Sequence, residues 1–296
     1  MGSPESEPAP VVTVQVVLFE QSVHAVHRLV DAVAAAARQV DGPVALVLGD
    51  CTAQPVLDGD ASSELAAAAR GDGLAWLRYE WFGANLGHGQ GQHRLLASHG
   101  APVVVLCNPD ALPGPRSLAR LVAALDEPTV GAAEARQLPL ESPKLAAAGT
   151  GAAPWAAGCL LAVRRAAYEQ VGGFDPAFFL HDDDVDLCWR LRRAGWQITY
   201  VPAAVGVHHR EVDPSGYAAS QATEAVMMRV GELLLAGRAG RPDVAEAILA
   251  GAAVADGPDA AAAQEYGRLV AEARLPRRFS GASAPGVLLD RVLRRF

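Results

Sequence analysis

Short, unbroken apolar runs alternate along the first hundred residues with segments whose apolar positions recur at helical spacing. Residues 11–19, 44–48, 74–79 and 102–106 are rich in valine and leucine and predict buried strands. Residues 23–40, 65–70 and 88–99 read as the helices between them. Strands alternating with helices predict a mainly parallel sheet with helices on both faces. Right-handed crossovers then put the ligand crevice at the carboxyl ends of the strands. The loops after Phe19, Leu48, Tyr79 and Leu106 are therefore expected to share one mouth.

Beyond residue 110 the pattern is less regular. Helices are predicted over 117–125, 164–171 and 184–194, the last closed by Gly195, a residue suited to a helix C-terminus. Strands are predicted over 157–163 and 198–201, while 134–154 reads as loop. After about residue 211 three helical segments follow, near 217–236, 244–255 and 260–273, with Asp256-Gly257-Pro258-Asp259 as the turn between the last two. The expected organisation is a flexible N-terminus over 1–10, an α/β domain over 11–210 and a helical C-terminal extension over 211–296.

Composition narrows the function classes. Of the 296 residues, 51% are hydrophobic and 20% charged, which excludes global disorder. The formal charge of -8 argues against a general nucleic-acid binder, which needs a basic surface. Cys51, Cys107, Cys159 and Cys188 form no CxxC pair and read as buried small hydrophobes in a reducing compartment. The first ten residues lack the basic and apolar regions of a signal peptide, and no apolar stretch is long enough to span a bilayer. A cytoplasmic protein is expected. From residue 273 onward, six Arg stand against one Asp, with Leu288, Leu289, Val292, Leu293 and Phe296 interspersed. Packing of this segment on the main domain is the first reading. Peripheral contact with the inner face of a membrane is the second.

The most informative stretch runs from Gly172-Gly173-Phe174-Asp175 through Phe178-Phe179-Leu180-His181 to Asp182-Asp183-Asp184-Val185-Asp186-Leu187-Cys188-Trp189-Arg190-Leu191. Four carboxylates within five positions repel unless a cation, a proton or a helix N-terminus offsets them. A solvated helix start would be the plain explanation. The flanks argue otherwise, because the whole stretch resembles the inverting family 2 glycosyltransferases of GT-A fold, with Asp183-Asp184 where that family has Glu-Asp.

The resemblance covers about residues 11–210 and implies a set of roles. Asp184 is implied as the catalytic base, with Asp183 orienting it or binding acceptor. Val103-Val104-Val105-Leu106-Cys107-Asn108-Pro109-Asp110 looks like the family's metal-binding motif in an Asn-Pro-Asp variant, with Asn108 where the first acid would be and Asp110 as the ligand of Mg or Mn. Asn85-Leu86-Gly87-His88-Gly89-Gln90-Gly91-Gln92-His93 looks like the segment lining the nucleotide pocket, which names Asn85, Gly87 and His93. Its glycines do not fit a dinucleotide fingerprint, being spaced G-x-G-x-G and not following the first strand. His208 or His209 is implied near the metal and diphosphate, His208 being favoured. Trp155, Gly158 and Asp182 fall on the acceptor side. Phe19 and Glu20 after the first strand and Asp50 after the second depart from the family pattern, and are the residues left to meet base and ribose. Arg94 and Arg190 are the arginines nearest the motifs that could meet the diphosphate.

The implied activity is transfer of a sugar from a nucleotide-diphosphate sugar to an acceptor hydroxyl, with a divalent cation and inversion at the anomeric carbon. A sugar nucleotidyltransferase on a related fold is the rival enzyme. It needs a Gly-rich loop with a following Arg after the first strand, and Phe19-Glu20-Gln21-Ser22 supplies none. A degenerate relative that binds sugar nucleotide or a partner without turnover is the non-catalytic alternative, on the strength of Asn108 and the altered strand-end loops.

Overall fold

Val12–Leu18 (β1) is buried along its length and lies between Val44–Asp50 (β2) and Val103–Cys107 (β4), parallel to both. Trp76–Trp81 (β3) extends the sheet beyond β2, again in parallel. The registers pair Leu18 with Asp50, Asp50 with Trp81 and Val16 with Cys107, so the four carboxyl ends open on one edge, as the alternating pattern predicts. In this computed structural model, residues 7–141, 146–209, 217–252 and 257–279 are described.

The second half of the sheet reverses direction. Leu160–Arg164 (β7) runs antiparallel to β4 and to Val130–Leu138 (β6), while Gln197–His208 (β8) runs parallel to β6. Ala111–Pro113 (β5) closes the edge against the end of β8, giving the order β3-β2-β1-β4-β7-β6-β8-β5. Two of these strands depart from the expectations above. Most of β6 was expected as loop, because Val-Gly-Ala-Ala-Glu-Ala-Arg-Gln-Leu has the alanine and charge of a helix or coil and little β propensity. It is nonetheless buried between neighbours on both sides, where small residues pack well. The expected strand over 198–201 continues through Pro202 to His208, past a register shift in the pairing with β6 between Ala135 and Arg136.

Helices cover the sheet. Val23–Ala37 (α1) starts on Ser22, whose hydroxyl accepts from Ala25 N at 3.1 Å, a cap that contributes about 1 kcal/mol. It buries Val26, Leu29, Val30 and Val33 in the core below β1 and β2. Gly59–Gly71 (α2) begins before the predicted 65–70, because Asp58 caps a polar first half that carries no apolar periodicity. His88–Leu96 (α3), Ser117–Ala124 (α4), Arg165–Gln170 (α5) and Asp183–Arg193 (α6) follow close to their predicted ranges.

The chain divides into two compact units, one break falling between Arg210 and Glu211, with two earlier segments also joining the second unit. One unit takes Met1–Leu86, Gly91–Gly173 and Arg190–Arg210, and holds the whole sheet. The other takes Gly87–Gln90, Phe174–Trp189 and Glu211–Phe296. In it, Tyr217–Ala239 (α7) packs against Pro242–Ala252 (α8) and Pro258–Ala271 (α9), burying Val230, Leu233, Leu234 and Leu235. Among the described residues no helix is long and apolar enough to cross a membrane. The apolar and basic segment from Leu288 to Phe296, on which the membrane-contact expectation rests, lies outside the described residues.

Candidate functional site

In the sheet unit, Asp110 sits in the short turn between β4 and β5. Asn108 builds that turn through its backbone, donating to Cys159 O at 2.8 Å and accepting from Ala111 N at 3.1 Å. The antiparallel β5–β8 pair sets Ala111 opposite His208, which brings His208 Nε2 within 3.2 Å of Asp110 Oδ1. His209 makes only a backbone contact there, N to Asp110 O at 2.8 Å, and its side chain is exposed.

A relay behind His208 decides its protonation pattern. Gln137 Nε2 donates to Glu134 Oε1 at 3.3 Å, which leaves Gln137 Oε1 to accept from His208 Nδ1 at 3.1 Å. A neutral His208 then carries its lone pair on Nε2, aimed at a carboxylate oxygen. Two lone pairs at that separation repel, and a proton or cation between them reverses the sign. One carboxylate oxygen and one imidazole nitrogen suit a Mg or Mn ion that takes its other ligands from phosphate and water. Among the described residues no group of three or more His, Cys, Asp or Glu could hold a metal unaided, so a diphosphate would have to complete the shell.

Asp50, expected to meet base or ribose, is turned inward with no exposed surface. Its Oδ1 accepts from Thr52 N at 2.8 Å and Thr52 Oγ1 at 2.5 Å, and its Oδ2 from Val56 N at 2.8 Å and from Tyr79 OH. Burial opposes ionisation, but these four donors outweigh it and hold the carboxyl below its ordinary range. Burial and the same carboxylate push Tyr79 up to about 12. Asp50 is thus an organiser of the loop after β2 rather than a free ligand. His93, expected in the nucleotide pocket, stacks on Tyr168 with its Nδ1 3.2 Å from the phenol oxygen. Phe19, Glu20 and Asn85 are exposed at or near the carboxyl edge, and Glu20 holds a left-handed φ of 57°. Trp155 and Gly158 are buried in the segment leading to β7. The two candidate arginines are engaged by protein groups. Arg94 pairs with Glu80 at 2.8 Å over the Phe82 ring, and Arg190 donates to Val171 O and Gly173 O at 2.8 and 2.5 Å.

In the second unit the four clustered acids separate by environment. Asp183 and Asp186 are buried, whereas Asp182 and Asp184 are half-buried. They open α6 at its positive end, and Arg190, Arg192 and Arg193 close it, so both ends complement the helix dipole. His181 and Asp182 enter the helix with left-handed φ of 64° and 59°, a conformation costly for residues with a Cβ and concentrated at functional sites. Asp184 Oδ1 accepts from Val185 N at 2.7 Å. Asp182 lies against Gly231 of α7, where a Cβ would stand 2.7 Å from its Oδ2. His88 Nδ1 reaches Asp183 Oδ2 at 2.7 Å. Gly87 makes that reach possible: its φ is +73°, and a Cβ there would overlap the Phe179 carbonyl, to which His88 N donates at 3.0 Å.

Sequence reasoning missed one feature of this unit entirely. Arg238 of α7, only 4% exposed, donates from Nε to Asp186 Oδ1 at 2.7 Å, from Nη2 to Asp175 Oδ2 at 2.5 Å and from Nη1 to Arg277 O at 2.8 Å. Two acids of the signature stretch are therefore held by an arginine 52 residues beyond Asp186, and no local spacing could announce it. Glu134 and Gln137 were missed for a different reason, lying in the segment expected as loop. His88 lay inside a quoted motif but drew no role beside its glycines.

Comparison with known proteins bears on both units. Residues 141–227 match the family described as "Glycosyltransferase like family 2". Over 56 residues the chain is 52% identical to N-acetylglucosaminyl-diphospho-decaprenol L-rhamnosyltransferase of Mycobacterium tuberculosis, covering 19% of this chain and 18% of that protein. Over 59 residues it is 41% identical to rhamnosyltransferase WbbL of Escherichia coli, covering 20% and 22%. The chain thus matches about a fifth of the length of these relatives. Among solved structures it is similar to the mannosyltransferase PcManGT of Pyrobaculum calidifontis in complex with GDP-Man and Mn2+, with a TM-score of 0.58, 22% identity, and 89% and 81% of the two chains covered. GalNAc-T7 with UDP, GalNAc and Mn2+ follows with a TM-score of 0.56, 12% identity, and 81% and 52% covered. At these identities the solved structures speak to the fold.

Proposed function

We propose that this chain, a family 2 glycosyltransferase with the GT-A fold, moves a sugar from a nucleotide-diphosphate donor to an acceptor hydroxyl, inverting the anomeric carbon and using a divalent cation. The observation that carries this reading is the family match over residues 141–227, which contains the acid-bearing start of α6.

The roles are those the family resemblance implies, and local chemistry supports them. Asp184 is the half-buried acid within the first turn of α6, open to substrate where Asp183 and Asp186 are not, and it removes the proton from the acceptor hydroxyl as that oxygen attacks the anomeric carbon. Asp110 and His208 hold the diphosphate end, with Gln137 and Glu134 fixing the imidazole so that Nε2 presents its lone pair. A bound Mg or Mn ion would neutralise charge developing on the leaving diphosphate. The sequence relatives are both named as rhamnosyltransferases, so L-rhamnose is the first donor sugar to test.

A thermal-shift screen of UDP-, GDP- and dTDP-sugars with and without Mn, followed by a nucleoside-diphosphate release assay with glycolipid and saccharide acceptors, tests the proposal. Cation-dependent stabilisation and release by one donor class supports it. No stabilisation by any donor refutes it. Stabilisation without release favours the binding-only alternative, which Asn108 in place of a first acid keeps in view.

A further inference from the structure

We propose that His88 is a positioning residue for the acid pair: it serves as the counter-ion of Asp183, so that Asp184 beside it stays ionised and can accept the proton of the acceptor hydroxyl. The inference rests on the glycosyl-transfer reading above and adds a residue to its machinery.

The geometry is over-determined. His88 Nδ1 lies 2.7 Å from Asp183 Oδ2, and its backbone N donates to Phe179 O at 3.0 Å. Its ring stands edge-on to Phe174 at 5.7 Å. A Cβ at Gly89 would come within 3.0 Å of Asp183 Oδ2, so a larger residue there would push the carboxylate off the imidazole. The other ring nitrogen, Nε2, is sealed from water without a hydrogen-bond partner. The contact with Asp183 is therefore the polar interaction that fixes the ring.

Charge explains why a histidine is useful here. Asp183 and Asp184 both act on His88 by charge, and a cation facing two acids favours the ionised form of each. The titratable groups facing His88 are Asp183 and Asp184 of α6 and His181 of the segment before it, and His181 in turn faces Glu224 of α7. Burial disfavours the charged His88 imidazole, but Asp183, by charge and hydrogen bond, and Asp184 outweigh it and raise its pKa above 6.5. At His181 burial outweighs Glu224, Asp183 and Asp184 and lowers its pKa. Burial likewise opposes ionisation of Asp183, and His88, followed by His181 and the Asp184 backbone N–H, outweighs it and holds that carboxyl low.

Two measurements on the full chain test this. In protein labelled with 13C-histidine, the His88 ring is identified by its cross-peaks to Phe174 and titrated. It is expected to titrate above the ordinary 6.5, and to fall by about a unit or more in Asp183→Asn. A wild-type midpoint at or below 6.5, or no change in Asp183→Asn, overturns the proposal. The second is the pH–rate profile of His88→Gln, followed by nucleoside-diphosphate release. The acid limb is expected to move to higher pH, so that the loss of kcat is several-fold larger at pH ~6 than at pH ~8, with KM for the donor little changed. A profile superimposable on wild type, or a uniform loss at all pH values, overturns it. If the wild-type chain releases no nucleoside diphosphate from any donor, the functional reading fails instead, and the imidazole titration still reports on the pair. If His88→Gln does not fold, the wild-type titration decides.

Discussion

Replacing Arg238 with methionine removes the cation that Asp175 and Asp186 share and keeps most of the side chain's apolar stem. Asp186 has no exposed surface and Arg238 only 4%, so the pair is a buried one, whereas the Asp175 side chain is 22% exposed and can recover part of its solvation. Breaking a buried ion pair from one side costs about 3–5 kcal/mol, most of it from the charge left behind. The lost donor to Arg277 O adds about 1 kcal/mol or less, because that carbonyl can turn to water. Taken at about 2–4 °C per kcal/mol for a chain of this size, Arg238→Met should lower the melting temperature by roughly 10 °C. Circular dichroism at 222 nm, with a parallel urea titration, measures it. The charge argument makes a sharper demand. Arg238→Met combined with Asp186→Leu should be less destabilised than Arg238→Met alone, because the stranded carboxylate is gone. A single-variant shift below about 2 °C, or a double variant worse than the single, would refute the reasoning.

Asp110→Ala and His208→Ala should each weaken Mn-dependent binding of UDP or GDP, and Gln137→Leu should do so by about 10–100-fold through the orientation of His208, all measurable by calorimetry. Burial and then Arg165 depress His99 to about 4 from 6.5, so the stability of its neutral form is present above pH 6.5 and is lost as pH falls toward 4. His99→Gln should flatten the fall in urea midpoint across that window, and an unchanged slope would contradict the assignment. Asp50 is depressed below 3.8, so its contribution is present above that pH and lost on further acidification. Asp50→Asn should lower the melting temperature at pH 7 and narrow the gap to the value at pH ~3.

Much of the fold could be read directly. The valine-rich runs of β1, β2 and β4 are buried on both faces, which is why their periodicity is continuous and their parallel pairing predictable. β6 could not be read, because an alanine-rich strand between β7 and β8 owes its conformation to those neighbours and not to its own propensity. That Phe174–Trp189 groups with the helices after residue 210 was hidden for a similar reason. Arg238 ties α7 to the acids of α6 through a contact between residues far apart in sequence, so the segment after 210 reads as an extension when only local patterns are visible. At the site, the acids and His208 were legible as residue types. Which acid is buried, which histidine faces Asp110 and which nitrogen carries the proton depended on the β5–β8 register and on Gln137, which no motif contains. Asp50 shows what position alone does not convey, since a carboxylate at a strand end suggests a ligand while its four protein donors make it an organiser of its own loop.

The central claim is that Asp184 takes the proton in a sugar transfer. Asp184→Asn keeps the shape and the Val185 N–H contact while removing the base. Donor affinity measured by calorimetry with Mn should stay within a few-fold of wild type, while nucleoside-diphosphate release in the presence of acceptor should fall by about 10²–10⁴-fold. Release by Asp184→Asn at the wild-type rate would contradict the account.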